Sequence, residues 1–215
     1  MRIRWHGHSC FEFEDGNLRL VIDPHDGRSI GIKPPSASAN LVLMTHNHYD
    51  HNAARMISGT HSDLLLNNGP FKFNGIDFKG YPTFHDQAGG SQRGPNTMYR
   101  FEMEGISVLH CGDLGCIPDE QTLAEIRGVD MMFVPTGEVF TLPLEQVRRL
   151  IELVNPNIVV PMHYRFGGLT LPITGVDEFL KMIPSDSICY VGNEIEISRE
   201  DIDMKECWVF DRRGQ

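Results

Sequence analysis

Leu41-Val42-Leu43-Met44-Thr45-His46-Asn47-His48-Tyr49-Asp50-His51 is the stretch on which the reading of this chain turns. Its four apolar residues have the look of a short buried strand. Three imidazoles and a carboxylate follow at once. Extended backbone sends alternate side chains to one side, so His46 and His48 can converge on a single ion. Asp50 and His51 sit where the chain starts to turn and can address a neighbouring ion. Imidazole nitrogen and carboxylate oxygen are donors that zinc and similar first-row ions accept. At the His and Asp frequencies of this chain, the pattern HxHxDH arises by accident in about one such chain in 700. A surface loop that happens to be rich in histidine is therefore a poor explanation.

Working outward, the preceding residues read as strands. Ile3-Arg4-Trp5 leads to the alternating Cys10-Phe11-Glu12-Phe13-Glu14, and Asp15-Gly16-Asn17 turns the chain into Leu18-Arg19-Leu20-Val21-Ile22. A loop rich in Gly, Pro and Ser runs from Asp26 to Ser38. Downstream of the motif, a brief helix is expected from about Asn52 to near Gly59. Hairpins then turn at Asn74-Gly75 and near Glu104-Gly105. Beyond residue 110, helix and strand alternate. Helices are expected over Asp119 to Arg127, Pro143 to Val154 and Val176 to Met182. Strands are expected over Met131 to Val134, Ile158 to Val160, Ile188 to Val191 and Cys207 to Phe210. Hairpins at both ends with helices interleaved suggest two packed mixed sheets with helices outside.

Three further candidate ligands stand at strand ends before polar or Gly-rich loops. They are His85 after Tyr81-Pro82-Thr83-Phe84, Asp113 in His110-Cys111-Gly112-Asp113, and His163 in Pro161-Met162-His163-Tyr164. Each alone is more often a capping or hydrogen-bonding residue. Beside the HxHxDH loop, metal binding becomes the better reading.

The order His46-x-His48-x-Asp50-His51, His85, Gly112-Asp113, His163 resembles the metal ligands of the metallo-β-lactamase-fold superfamily. The closer resemblance is to its small metal-dependent hydrolases, the branch that also looks like ascorbate-6-phosphate lactonases. Gly7-His8-Ser9, Ile22-Asp23-Pro24, Pro135-Thr136-Gly137 and Val160-Pro161-Met162-His163-Tyr164 carry it, from about residue 3 to residue 165. The resemblance implies an α/β fold, an αββα sandwich of two mixed β-sheets packed face to face with helices outside. It implies that His46, His48 and His85 hold one ion and Asp50, His51 and His163 a second, with Asp113 bridging.

Two such ions, about 3.5–4 Å apart, lower the pKa of a bound water toward about 7 and supply hydroxide at neutral pH. Asp50, facing that water, is the expected catalytic residue that orients it and shuttles its proton. Zinc is the default metal, with Mn or Fe also compatible. His8, Asp23 and His110 are expected to orient ligands rather than hold an ion. Arg165 is a candidate for gripping a substrate anion, and the Asp26 to Ser38 loop a candidate border of the cleft. Cys111 and Cys116 are expected to pack.

Composition bounds the rest. The chain has 215 residues, 40% hydrophobic and 22% charged, which is ordinary for a globular protein and fits one domain over 1–215. Lys+Arg of 19 against Asp+Glu of 29 gives 19 − 29 = −10, which repels nucleic acid. No apolar run approaches the roughly 18 residues that span a bilayer, and Met1-Arg2-Ile3-Arg4-Trp5-His6 does not resemble a signal peptide. Five cysteines without a CxxC pair fit reduced thiols in a cytoplasmic protein better than disulfides or a zinc knuckle. The expected function is hydrolysis of a small anionic ester, lactone or phosphodiester by a metal-bound hydroxide. An iron-dependent redox enzyme on the same fold and a catalytically silent metal-binding module are the alternatives. The sequence does not indicate an oligomeric state.

Overall fold

In a computed structural model describing residues 1–211, the chain forms fourteen strands and three α-helices. The strands are β1 (Arg2–Gly7), β2 (Cys10–Glu14), β3 (Arg19–Ile22), β4 (Leu41–Met44), β5 (Ser62–Leu65), β6 (Gly69–Phe73) and β7 (Ile76–Phe84), followed by β8 (Pro95–Met103), β9 (Ile106–His110), β10 (Met131–Pro135), β11 (Ile158–Met162), β12 (Ile188–Gly192), β13 (Glu194–Glu196) and β14 (Glu206–Phe210). The helices are α1 (Glu120–Ile126), α2 (Leu144–Val154) and α3 (Val176–Leu180).

Two mixed sheets result, as expected. The first has the order β13-β1-β2-β3-β4-β5 and the second β12-β14-β11-β10-β9-β8-β7-β6. The hairpins β1–β2, β2–β3, β6–β7, β7–β8 and β8–β9 are antiparallel. Strands β9, β10 and β11 run parallel, joined by crossovers that contain α1 and α2. Aromatic side chains lock the sheets face to face: the Phe133 ring of β10 lies 4.7 Å from Phe11 and 5.2 Å from Phe13 of β2, both edge-on.

The apolar run of β4 is continuous because both of its faces are covered. Leu41 and Leu43 join the core between the sheets, while Val42 and Met44 pack outward against Ala54 and Ile57. The expected helix from Asn52 to Gly59 is only a 3₁₀ turn, Ala54–Met56. The Ala53 amide donates to the Pro24 carbonyl instead of propagating a helix, so this side of the sandwich is sealed by loops. On the other side, α2 buries Leu144, Val147, Leu150 and Val154.

Strand direction places the chemistry. Strands β1, β3, β4, β7, β9 and β11 each end just before His8, Asp23, Thr45, His85, Cys111 and His163, respectively. Successive antiparallel and parallel pairings make β1, β3 and β4 point one way in their sheet, as β7, β9 and β11 do in theirs. The loops that follow them gather at one edge of the sandwich.

Candidate metal centre

The loop after β4 is held from behind by Asp23. The Thr45 amide and hydroxyl both donate to the Asp23 carboxylate at 2.8 Å. With its own proton committed, the Thr45 oxygen accepts from His46 Nδ1 at 2.9 Å. Asp23 Oδ2 also faces His51 Nδ1 at 3.0 Å. Asp23 thereby sets the His46 tautomer through Thr45, with the ring proton on Nδ1 and the Nε2 lone pair left for a cation, and stands as a buried anion beside His51. Asp23 sits at φ 51°, a left-handed conformation rare outside glycine, and His8 and His163 share it at 55° and 52°. Such strain costs on the order of 1–3 kcal/mol per residue and persists where surrounding contacts over-determine it.

The predicted ligands converge. His46, His48 and His85 form one group of potential donors and His8, Asp50, His51 and His163 another, each with its donor atoms within 4.8 Å of one another. Asp113 Oδ2 lies between them, 3.7 Å from His46 Nε2 and 3.2 Å from His85 Nε2 on one side, and 3.3 Å from His51 Nε2 and 3.1 Å from His163 Nε2 on the other. All of these residues are buried except His48, which is partly exposed. Donors about 2.0–2.1 Å from one zinc ion at tetrahedral angles stand about 3.3 Å apart, so these spacings match a metal site. Two buried atoms facing the cluster, His46 Nε2 and Asp113 Oδ1, have no protein hydrogen-bond partner among the described residues. The residues present fit the binding of divalent metal.

Electrostatics agree. Burial works to raise the Asp113 pKa, but His163 and then His51 hold it well below the ordinary carboxylate range. Burial and then His51 keep His46 neutral. His8 is pushed down to about 3, by burial first and His163 second. His51 goes the other way: burial opposes its charge, but Asp113, Asp50 and Asp23 raise its pKa well above that of a free imidazole.

The other expected residues are placed as follows. Asp23 contacts the Thr45 hydroxyl, whose oxygen meets His46 Nδ1, and faces His51 Nδ1. His110 Nε2 meets the Ser9 carbonyl at 3.1 Å, and its Nδ1 accepts from the Gly112 amide at 3.3 Å, which ties it to the loop carrying Asp113. His8 enters the second donor group itself, beyond the orienting role expected of it. Arg165 is exposed and lines a cavity of about 720 Å³ with Trp5, Lys33, Tyr164 and Phe166, none of them a predicted ligand. The structure does not bring Arg165 into the donor groups, and the Asp26 to Ser38 loop borders that cavity through Gly31, Ile32 and Lys33. Cys111 is buried, and Cys116 is half-buried near the Phe84 carbonyl.

Sequence reasoning missed Asn96. Its side chain donates to Cys111 O at 3.0 Å and Thr83 Oγ1 at 2.8 Å and accepts from the Asp113 amide at 3.0 Å, fixing the loop that presents Asp113. A lone Asn in a strand carries no spacing signal. Gly112, at φ 58°, abuts the same group: a Cβ there would come within 2.4 Å of Asn96 Oδ1.

A family model described as a β-lactamase superfamily domain matches residues 2–163. A UPF0173 metal-dependent hydrolase of Thermococcus onnurineus is 28% identical over 211 residues, covering 85% of this chain and 92% of its own. Another of that description, from Pyrobaculum neutrophilum, is 30% identical over 193 residues, covering 76% of this chain and 84% of its own. A crystal structure from Thermotoga maritima, described as a candidate Zn-dependent hydrolase of the metallo-β-lactamase superfamily, is similar with a TM-score of 0.79 and 31% identity, covering 97% of each chain.

Proposed function

Because the chain belongs to the metallo-β-lactamase superfamily, we propose that it is a metal-dependent hydrolase that holds two divalent cations, zinc by default, and cleaves a small anionic ester, lactone or phosphodiester. The observation that carries this reading is Asp113 Oδ2 standing 3.1–3.7 Å from Nε2 atoms of both donor groups. When bound, the cations supply water acidified toward neutral pH and polarise the scissile carbonyl or phosphoryl oxygen.

The chain's own residues do the remainder. Asp113 bridges the groups, Asp23 and Thr45 fix the tautomer of His46, and Asp23 stands beside His51 Nδ1. Asp50 is the residue that orients the attacking water and takes its proton. Burial opposes its ionisation, but His51 and His8 lower its pKa and keep it a carboxylate. Asp23, Asp50 and Asp113 bring three negative charges to a site meant for two dications, so the balance stays positive and favours an anionic substrate over nucleic acid held by this acidic chain. No helix among the described residues is long and apolar enough to cross a membrane. None of the five cysteines is in a disulfide among the described residues, which fits a reducing compartment such as the cytoplasm.

The test is metal analysis together with a screen of ester, lactone and phosphodiester substrates. About two ions per chain and turnover of one class support the reading. Zero or one ion overturns the two-cation mechanism, and full occupancy without turnover supports a silent metal-binding module. Asp113→Ala is expected to lower metal content and activity together. Retention of both ions would overturn the bridging role.

A further inference from the structure

We propose that His8 Nε2 is a direct donor to the cation held by Asp50, His51 and His163, rather than a group that orients them. The proposal rests on the two-cation reading and extends its ligand set.

The residues that orient this site share a pattern. Asp23 and Thr45 contact the far nitrogens of the ligand rings, His51 Nδ1 and His46 Nδ1. His110 and Asn96 spend their polar atoms on backbone groups and the Thr83 hydroxyl. His8 does neither. Its Nε2 lies 3.2 Å from His51 Nε2 and 3.2 Å from Asp50 Oδ2, on the side of those residues that faces the cluster. Both distances match the roughly 3.3 Å between donors around one zinc ion. Asp23 Oδ2 occupies the far side of the His51 ring, 3.0 Å from Nδ1. His8 Nε2, His51 Nε2 and Asp50 Oδ2 thus crowd one point, and a single cation that displaces the protons between them satisfies all three atoms at once. A single proton on His8 Nε2, the competing arrangement, serves them less fully.

His8 also behaves like its neighbours. His8, His85 and His163 each turn Nε2 inward and leave a buried Nδ1 without a protein hydrogen-bond partner among the described residues. The backbone is built to aim the ring. A register shift at the end of β1 precedes His8, which is fully buried in the left-handed region. Its carbonyl accepts from Trp5 Nε1 at 3.0 Å and from the His163 amide at 3.3 Å, and its ring centroid lies 4.3 Å from that of His163. Sequence spacing hides the role, because His8 lies far upstream of the motif at the end of another strand. With His8 the second group offers four donors of its own and a fifth through Asp113, against three and Asp113 in the first, so the two cations differ in coordination.

The experiment loads ¹⁵N-histidine-labelled chain with two equivalents of ¹¹³Cd²⁺ and reads one-bond cadmium–nitrogen splitting by NMR. Splitting of the His8 Nε2 resonance, as at His51 and His163, is the expected result. Splitting at His51 and His163 with a protonated, unsplit His8 Nε2 overturns this proposal and leaves the two-cation reading standing. No splitting at His51 and His163 overturns both. Independently, His8→Gln is expected to bind the second equivalent of Cd²⁺ at least about tenfold more weakly with the first unchanged. Unchanged affinity for both equivalents overturns the proposal. The wild-type spectrum decides even where the variant does not fold.

Discussion

The Asp23 carboxylate accepts from the Thr45 amide and hydroxyl at 2.8 Å and faces the His51 ring at 3.0 Å. Asp23→Asn places an amide NH₂ among donors, so one ring must turn its proton toward the cluster. Metal affinity is expected to fall about 10–100-fold with the fold retained, measured by competition with a chromophoric chelator and by circular dichroism. Native affinity would show that Asp23 does not set the tautomers. His51 governs the pH dependence. Burial disfavours its charge, but Asp113, Asp50 and Asp23 raise its pKa well above the free-imidazole value, so the metal-free ring is protonated near neutrality. Only the neutral ring binds a cation, so metal uptake expels that proton and affinity rises with pH until the raised pKa is passed. His46, already neutral, releases none. Calorimetry in buffers of different ionisation enthalpy counts the protons. An affinity that is flat across roughly pH 6–8 would contradict the assignment.

At the scale of elements, the loop after β10 and the end of β11 are pressed together. A Cβ on Gly137 would lie 2.0 Å from the His163 carbonyl oxygen, and the Gly137 carbonyl accepts from the Thr174 amide. Gly137→Ala is expected to cost about 1–3 kcal/mol in urea unfolding and to reduce metal content by shifting His163. Wild-type stability and loading would show that the backbone gives way freely. The same scale explains what could be read in advance. The metal loop, α2 and the parallel strands stood out because their patterns are local: alternating donors, an apolar face, runs buried on both sides. Strand β5 did not, since Ser62 to Leu65 are largely exposed and take their place by pairing with β4. Nor did β13, three residues whose Glu194 and Glu196 are recruited opposite Arg4 and Arg2 of β1. The Ala54–Met56 turn looked like a helix because its residues favour one, yet the Ala53 amide is spent on Pro24. Asn96 was illegible as a site residue for the same reason as β5, and His8 was legible only through the resemblance carried by Gly7-His8-Ser9, as an orienting residue: their partners are distant in sequence.

At the scale of the molecule, the donors come from both sheets. His8, Asp50 and His51 leave the first, and His85, Asp113 and His163 leave the second. Cations at about 100 times their dissociation constant would add about 2.7 kcal/mol to folding stability per site. Treatment with a chelator is therefore expected to lower the melting temperature by several degrees, read by calorimetry, and no change would mean that the cations do not bridge the sheets. The shared direction of the six strands carries this further. The opposite rim of the sandwich has no part in the donor set, so the two ends of the molecule differ in what keeps them shut. Apolar packing and standing ion pairs, the Met1 ammonium on Glu104 and Arg199 on Asp130, close one; at the other, imidazoles and carboxylates wait for ions to join them, so a stripped chain would breathe from that end first.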